Sequence, residues 1–383
     1  MEFSFYTANK IVFKRGAVKE LGANINGLGK HFLLLIDPAF YNTPVMETVV
    51  EQIKSIGAKC DIFSEVRGEP TVELVDEVAA LAAEKGCDAV ISLGGGSNID
   101  VGKATAALLT NGGSALDYLE VVGKGKKVTV EPVPFVAIPT TAGTGSEVTK
   151  NAVIGSKTAC FKRSMRSDKM VATVSIVDPE LSLGCPKKVT ANAGIDAMTH
   201  LIEAYITWRA TPVSDALAIK GIALAGKYLQ RAYEDGSDIE AREGMSAAAL
   251  IGGMAFANSG LGAAHGVGMA LGIRYHLPHG EACGIALPYV VELNAGVAGE
   301  KLDQVGEALT GKRFSKPGEG TKACIDFLFA LNKAIGVPAD YKFLNVPREE
   351  IPALAQESLG TSMTSNPKKM DAEALTEFLS KIV

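Results

Sequence analysis

The chain has 383 residues, of which 47% are hydrophobic and 21% are charged, and its formal net charge is −5. This composition excludes a disordered chain, and the length predicts two domains or one large α/β unit. The mildly acidic balance, without a basic run, argues against nucleic acid as a partner.

The first half of the chain alternates short apolar runs with helical stretches. Residues 3–6 and 10–13 predict a small hairpin, and the continuous apolar run at 32–36 predicts a strand buried on both faces of a parallel sheet. Further predicted strands are 60–63, 88–93 and 134–138, and the predicted helices are 44–56, 72–85 and 98–109. This alternation indicates a Rossmann-like, doubly wound α/β layer.

The β-rich runs stop near residue 188. Ala/Leu-rich segments with helical periodicity follow at 212–234, 239–259, 302–309 and 322–335, with Gly/Pro breaks at 278–280, 288, 317–320 and 338. The composition shift at 183–186 predicts a boundary between an α/β domain over residues 1–185 and an all-α domain over residues 186–383.

The run GGGS at residues 94–97 joins a predicted strand to a predicted helix. Glycines let the backbone approach a ligand closely, and the helix N-terminus offers free N–H groups to a pyrophosphate. The alternative, an ordinary tight turn, stays open because the pattern is not G-x-G-x-x-G. On the new helix Asp100 and Lys103, taken alone, are typical solvated or N-terminal helix charges.

A second loop, PTTAGTGSE at residues 139–147, also follows a predicted strand, and its hydroxyls and glycines suit a nucleotide better than a plain turn. Asp37 ends the strand at 32–36, where a carboxylate accepts hydrogen bonds from ribose hydroxyls and repels a 2′-phosphate. A helix-capping role before Pro38 fits Asp37 equally well. The functional interpretation favours NAD over NADP.

Four of the five histidines fall between residues 200 and 279. Asp196 and His200 are spaced i, i+4, which places them on one helix face, and His265 and His279 flank a glycine-rich segment. One carboxylate and three imidazoles suit Zn²⁺ or Fe²⁺ equally well. Such a metal beside a nicotinamide predicts Lewis-acid assistance to hydride transfer at an alcohol or carbonyl carbon. His276 is either an exposed loop imidazole or a residue that lines the site.

The six cysteines are scattered and form no CxxC pair, so we expect neither a disulfide framework nor a thiolate zinc site. The N-terminus lacks a signal-peptide pattern, and no uninterrupted apolar run approaches the roughly 20 residues of a membrane helix. We expect a cytoplasmic protein that does not bind a membrane.

These motifs together resemble the iron-containing (group III) alcohol dehydrogenase family over nearly the whole chain. The resemblance implies a dehydroquinate synthase-like fold with a cleft between an NAD-binding and a helical domain, and a homodimer or larger homo-oligomer. It implies metal ligands at Asp196, His200, His265 and His279, and places Asn151 and Phe256 at the substrate end of the cleft. The predicted NAD(H) contacts are Asp37, Gly95, Gly96, Ser97, Asp100, Thr140, Thr141, Thr144, Ser146 and Lys162.

One position departs from the family pattern. Many members have a further histidine four residues after the third ligand, often given a proton-relay role, where this chain has Met269. We hypothesise that His276 replaces it, with a water chain or the ribose hydroxyls as alternatives. With Asn151, His276 completes the predicted catalytic pair.

The substrate is the least determined part. Two interpretations stay open for Arg163, Arg166 and Arg274. They are surface arginines or, if they face the cleft, they favour a small aldehyde with an anionic tail. Examples of such an aldehyde are a semialdehyde, sulfoacetaldehyde or phosphonoacetaldehyde. The leading hypothesis is a metal-dependent NAD(H) alcohol dehydrogenase or aldehyde reductase. The alternatives are a non-redox lyase or cyclase of the dehydroquinate synthase type, and a nucleotide-binding regulatory module without catalysis.

Overall fold

We examined a computed structural model of the chain, which describes residues 2–156 and 161–383. Its contacts divide the chain into two compact units. The sheet unit comprises Phe5–Thr141 and Gly145–Ser182; the helical unit comprises Ala142–Thr144 and Leu183–Val383, with a few N-terminal residues. The predicted fold class, a parallel α/β unit followed by an all-α unit, is confirmed.

The strands all lie in the sheet unit. They are β1 (Lys10–Phe13), β2 (His31–Ile36), β3 (Lys59–Phe63), β4 (Ala89–Gly94), β5 (Phe135–Pro139), β6 (Asn151–Ser156), β7 (Phe161–Arg166) and β8 (Val174–Val177). The helices of this unit are α1 (Leu21–Ile25), α2 (Pro44–Ser55), α3 (Val72–Lys85), α4 (Gly96–Asn111) and α5 (Ala115–Tyr118).

Six strands form one parallel sheet in the order β1-β8-β5-β4-β2-β3. Phe32, Leu34 and Ile36 of β2 pack into the core that α1 and α2 cover. On the opposite face α4 packs so closely that a Cβ at Gly102 would clash with Ser92 and Phe135. Burial on both faces explains why β2 is apolar at every position after His31.

The predicted hairpin at residues 3–6 and 10–13 is wrong. Residues 3–6 form no strand, and β1 pairs in parallel with β8, whose sequence lies more than 160 residues further on. A hairpin that the sequence analysis missed is formed by β6 and β7, which pair antiparallel with Asn151 opposite Arg166.

The helical unit contains α6 (Lys187–Ile206), α7 (Pro212–Glu234), α8 (Ile239–Ser259), α9 (Ala263–Tyr275), α10 (His279–Thr310), α11 (Glu319–Ala334), α12 (Ile351–Ser358) and α13 (Ala372–Ile382). Their apolar faces share one buried core. The break predicted at Pro288 is wrong, because α10 begins at His279 and continues through this proline.

Within the described residues, α10 alone is long and apolar enough to cross a membrane as a single helix, and α8 with α9 passes the same test as a bent pair. Just over half of the apolar stretch of α10 is buried inside the protein, where it packs against α6, α9 and α11. This burial within the protein accounts for the apolar sequence of α10.

Candidate active site

The four predicted metal ligands come from three helices of the helical unit. Asp196 and His200 lie one turn apart on α6, His265 is in the first turn of α9, and His279 begins α10. Oδ1 of Asp196 is the common point: it lies 3.5 Å from Nε2 of His265 and 3.9 Å from Nε2 of both His200 and His279. The fold therefore brings all four side chains together around one carboxylate oxygen.

Two of the facing atoms of this cluster lack hydrogen bonds among the described residues. Asp196 and His265 are buried, and neither Oδ1 of Asp196 nor Nε2 of His265 has a hydrogen-bond partner in the part of the chain that the structure describes. A buried polar atom without a partner costs roughly 1–3 kcal/mol, so a fold that retains two facing ones suits a ligand between them. One carboxylate and three imidazoles are a donor set for Fe²⁺ or Zn²⁺.

Glu203 orients the third of these ligands and was missed by the sequence analysis. Its Oε2 lies 2.6 Å from Nδ1 of His265, so the opposite ring nitrogen, Nε2, faces Asp196. The same carboxylate accepts hydrogen bonds from the backbone N–H groups of Gly262 (2.9 Å) and Ala264 (2.6 Å). Glu203 follows Asp196 by seven residues, two helical turns on the same face of α6, and this spacing could have identified it.

The electrostatics of the cluster follow from burial and mutual charge. Burial opposes the charged form of Asp196, but His200, His279 and His265 hold its pKa well below the usual range. Burial lowers the pKa of His200 to about 4 against the attraction of Asp196. Burial acts in the same direction on His265, yet its hydrogen bond to Glu203 and the negative charges of Glu203 and Asp196 raise its pKa to about 9. The cluster thus attracts one positive charge, which a proton or a metal cation can supply.

Aromatic stacking holds the imidazoles in place. The ring of His200 stacks on Phe256 of α8, with centroids 4.4 Å apart, and on His265, with centroids 4.5 Å apart. Phe256 was predicted from the family resemblance to line the substrate end. It is half-buried, and its stacking on His200 places it directly beside a predicted ligand.

A thiol also lies beside the cluster. Cys283 is one turn after His279 on α10, its Sγ is 3.8 Å from Nε2 of His279, and it groups with Asp196, His265 and His279 as a set of facing ligand atoms. The sequence analysis did not single out Cys283; its i, i+4 spacing from His279 is the signal that was available.

Met269 stands at the position where many members of the resembled family have a relay histidine. Met269 lies one turn after His265 on α9 and is half-buried. His276 is exposed, adopts a left-handed conformation (φ 55°) at the C-terminal end of α9, and forms no hydrogen bond or ion pair among the described residues.

The two predicted nucleotide loops follow neighbouring strands of the sheet unit. Gly95 precedes α4 and has no side chain with which to cap this helix, so among the described residues the first N–H groups of α4 are available to a phosphate. The backbone N–H of Thr140 donates to the carbonyl of Gly94, and a Cβ on Gly95 would lie 3.5 Å from Oγ1 of Thr141. Gly96 and Ser97 open α4, whereas Thr144 belongs to the short segment that groups with the helical unit.

Asp37 caps the short 3₁₀ turn Pro38–Phe40, its Oδ1 accepting the N–H of Ala39 at 2.9 Å. The capping alternative is thus observed. The other carboxylate oxygen accepts no hydrogen bond among the described residues.

Asp100 and Ser146 are used inside the protein. Both are buried; Ser146 donates its hydroxyl to Asp100, and the N–H of Val153 donates to the second carboxylate oxygen at 2.8 Å. The ammonium of Lys103 donates to the carbonyls of Ser146 (2.8 Å) and Asn151 (2.7 Å). The typical solvated helix charge is therefore the wrong interpretation of Asp100 and Lys103, which join α4 to the second loop.

The basic side chains predicted at the cofactor and substrate have varied surroundings. Lys162 pairs with Glu69 at 2.7 Å, and Arg166 pairs with Glu120 at 2.9 Å. Arg274 pairs with both Glu350 (3.1 Å) and Glu357 (2.5 Å) at the end of α9. Arg163 donates to the carbonyl of Lys162 and forms no ion pair within residues 2–156 and 161–383.

These features define the class of protein. The chain combines a parallel sheet that carries two polar loops with a carboxylate–imidazole cluster, as do enzymes that use a dinucleotide together with a bound divalent metal. Comparison with known families agrees. The profile of the iron-containing alcohol dehydrogenases matches residues 8–179, and that of the C-terminal part of the same family matches residues 190–383. The chain belongs to the iron-containing alcohol dehydrogenase family.

The similar proteins match this chain over nearly its whole length. An NAD-dependent methanol dehydrogenase of Bacillus methanolicus is 36% identical over 98% of each chain. The crystal structure of a 1,3-propanediol oxidoreductase superposes with a TM-score of 0.93 at 31% identity and covers all of both chains. Sulfoacetaldehyde reductase from Bifidobacterium kashiwanohense, solved in complex with NAD⁺, has a TM-score of 0.90 at 28% identity over 100% of this chain and 99% of its own.

These findings establish the reaction class. The protein is an NAD-dependent, metal-dependent oxidoreductase that interconverts alcohols and aldehydes. The non-redox lyase alternative is not favoured, because these relatives are dehydrogenases, oxidoreductases or reductases.

Proposed function

We propose that this dehydrogenase holds its metal through Asp196, His200, His265 and His279. The observation that carries the proposal is the convergence of three imidazoles on Oδ1 of Asp196, which is buried and has no hydrogen-bond partner among the described residues. When bound, the metal supplies a Lewis acid at the substrate oxygen and NAD(H) supplies the hydride exchange. Fe²⁺ and Zn²⁺ both suit this donor set.

The protein's own contribution is to hold the donors in place and keep the cluster dry. Glu203 accepts the N–H of His265 Nδ1, so that Nε2, which faces Asp196, would offer its lone pair to a bound metal. Phe256 covers one face of His200 and limits its rotation. Burial of Asp196 and His265 excludes water, which strengthens charge interactions in the cluster.

The cofactor proposal concerns residues 1–185, which we propose as the NAD-binding domain, with residues 186–383 as the metal- and substrate-binding domain. The free N–H groups at the start of α4, beside Gly95, Gly96 and Ser97, would take the pyrophosphate. The second carboxylate oxygen of Asp37 would accept a ribose hydroxyl, which favours NAD over NADP. Thr140, Thr141, Thr144 and Lys162 are proposed as further contacts, with Asp100 and Ser146 supporting the loop from within.

His276 and Asn151 are the proposed proton-handling and substrate-positioning residues. His276 is exposed, which suits exchange of a proton with solvent. Asn151 starts β6 and its carbonyl is fixed by Lys103.

For the substrate we propose a small primary alcohol or its aldehyde, with Phe256 contributing to the apolar wall. Arg166 and Arg274 are paired with acidic side chains, so a preference for an anionic tail depends on Arg163. The sulfoacetaldehyde reductase among the similar structures supports testing this class. We also propose a cytoplasmic location and a homodimer or larger homo-oligomer.

The test combines metal analysis with an aldehyde panel. The enzyme is expected to bind one Fe²⁺ or Zn²⁺ per chain at this cluster, and to oxidise NADH with short aldehydes. Asp196→Asn should lose this metal and the turnover, whereas Asp326→Asn, a surface carboxylate substitution, should retain both. Panel members with sulfonate, phosphonate or carboxylate tails are compared with neutral aldehydes of equal length. Equal kcat/KM across each pair, or an anionic preference unchanged in Arg163→Gln, would contradict the role given to Arg163.

A further inference from the structure

His31 is the histidine that lies outside the run between residues 200 and 279, and a carboxylate and a thiol lie beside it. Its Nε2 is 2.6 Å from Oδ2 of Asp61, and these two atoms and Sγ of Cys87 all lie within 4.8 Å of one another. His31 begins β2, Asp61 is in the middle of β3, and Cys87 lies two residues before β4. Two neighbouring strands and the segment that leads into a third thus each contribute one ligand type.

This cluster lies near the amino ends of the strands, whereas the nucleotide loops follow their carboxyl ends. The strands β2, β3 and β4 run parallel, and the loop at residues 94–97 follows the carboxyl end of β4. His31 and Cys87 lie at the amino ends of β2 and β4. The cluster therefore has no part in the binding loops described above.

The backbone beneath the cluster is held firmly. The carboxylate of Asp88 accepts the N–H groups of Lys30 and His31, each at 2.9 Å, which fixes the start of β2. A Cβ on Gly29 would lie 2.7 Å from that carboxylate, so the close approach requires glycine there. Asp61 is opposite Leu33 in the parallel register. Leu33 lies two residues after His31, which puts Asp61 and His31 on one face of the sheet.

The charges around the thiol favour a cation. The carboxylates of Asp61 and Asp88 place two negative charges near the Cys87 thiol, against the one positive charge of Lys85. A cation between the three ligand atoms would offset this excess of negative charge. The side chains of His31 and Asp61 are 20% and 37% exposed, so an ion can reach the cluster from solvent.

We propose that His31, Asp61 and Cys87 form a second metal site that binds Zn²⁺, with water as the fourth ligand. One nitrogen, one oxygen and one sulfur donor match the tetrahedral preference of Zn²⁺, whereas Mg²⁺ and Ca²⁺ require oxygen ligands throughout. On binding, Cys87 releases its thiol proton to solvent and the thiolate joins the metal. The spacing of the cysteines alone gave no sign of this site, because its ligands are 26 or more residues apart in sequence.

A bound ion would cross-link the amino end of β2, the middle of β3 and the segment before β4. Because the ion binds the folded state, it should raise the thermal stability of the sheet unit. Turnover should not require it, since no residue of the site belongs to the proposed metal cluster or nucleotide loops. This inference is independent of the proposed function.

The experiment counts bound metal in the full-length enzyme. Wild type, Cys87→Ser and His31→Asn are dialysed against the same free Zn²⁺ concentration and analysed for zinc per chain. We expect wild type to hold one equivalent more than either variant. Titration with Co²⁺ as a spectroscopic substitute should give a cobalt–thiolate absorption band in wild type that is lost in Cys87→Ser.

Two control variants separate the sources of the signal. Cys60→Ser removes a neighbouring thiol on β3 and should keep both the extra zinc and the band. Cys283→Ser removes the thiol beside His279 and should also keep them. Equal zinc content in wild type, Cys87→Ser and His31→Asn would overturn the proposal, as would a band that follows Cys283 or Cys60. His31→Asn leaves every thiol in place, so its zinc content decides the question even if Cys87→Ser folds poorly.

Discussion

The carboxylate of Glu203 lies 2.6 Å from Nδ1 of His265 and also accepts the N–H groups that begin α9. One buried side chain therefore both fixes the start of a helix and orients the ring that this helix carries. The orientation of His265 relative to Asp196 is thus a consequence of how α9 is capped.

Replacing this carboxylate should separate the two effects. In Glu203→Gln the side chain keeps one acceptor oxygen but loses its charge, so metal affinity should fall about 10- to 100-fold. In Glu203→Ala the N–H groups of Gly262 and Ala264 lose their acceptor, and the free energy of unfolding should fall as well, by about 1–3 kcal/mol. Metal titration and chemical denaturation measure the two quantities. The surface substitution Glu377→Gln is the control; metal affinity unchanged in Glu203→Gln would contradict the positioning role.

Removing the metal should destabilise the helical unit. The four proposed ligands connect α6, α9 and α10, so an ion at a thousand times its Kd should add about 4 kcal/mol to the free energy of unfolding. A chelator should therefore lower Tm by on the order of 10 °C, and added Fe²⁺ or Zn²⁺ should restore it.

Asp196→Asn should abolish most of this metal-dependent shift, because it alters the carboxylate on which the three imidazoles converge. Asp326→Asn, on the exposed surface of α11, should preserve it. A chelator-induced change of the same size in wild type and Asp196→Asn would show that the stabilising ion binds elsewhere.

The pH dependence of stability should reveal Glu147, a buried carboxyl of the second loop. Burial raises its pKa from 4.5 to about 7, with its own N–H and Lys103 opposing the shift. Between these pH values the folded protein holds a proton that the unfolded chain has released. This group therefore makes the free energy of unfolding fall as the pH rises from 4.5 to 7, by about 3 kcal/mol in total.

Glu147→Gln stays neutral and should lack this contribution. Denaturation of wild type and the variant at pH 4.5, 5.5, 6.5 and 7.5 measures it. The variant should gain stability relative to wild type over that range. A constant difference between the two proteins would contradict the raised pKa.

The sequence predicted the regular elements well where local pattern and tertiary burial agree. The predicted helices 212–234 and 239–259 match α7 and α8, and the apolar run at 32–36 is extended by one residue in β2. Of α10 only residues 302–309 were predicted, because Pro278, Gly280 and Pro288 look like breaks, whereas Pro278 lies just outside this helix and the helix continues through Pro288. Parallel pairing of β1 with β8 could not be predicted, since nothing local to β1 specifies so distant a partner.

The proposed metal cluster could be predicted from the sequence because histidine is rare in this chain and chemically distinctive. Asp196 and His200 share a helical spacing, and histidines are few in this chain. Glu203 and Cys283 carry only a weaker signal, their helical spacing from Asp196 and His279, since a glutamate or a cysteine on a helix is usually structural. Their proximity to His265 and His279 depends on how α6, α9 and α10 pack, which only the folded protein shows.

The exposed His276 gives the last prediction, which concerns proton transfer. Its left-handed backbone conformation (φ 55°) is one that asparagine adopts readily, so His276→Asn removes the imidazole without straining the chain. If His276 passes the proton, turnover should fall about 100-fold or more and the pH profile of kcat should change. The double variant His276→Asn/Met269→His places an imidazole one turn after His265, on the same face of α9, and should recover part of the activity. Met269→Leu serves as the control for altered packing at this half-buried position. A His276→Asn enzyme with wild-type kcat and pH profile would assign the relay to water or to the cofactor's hydroxyls, because no imidazole would then be required.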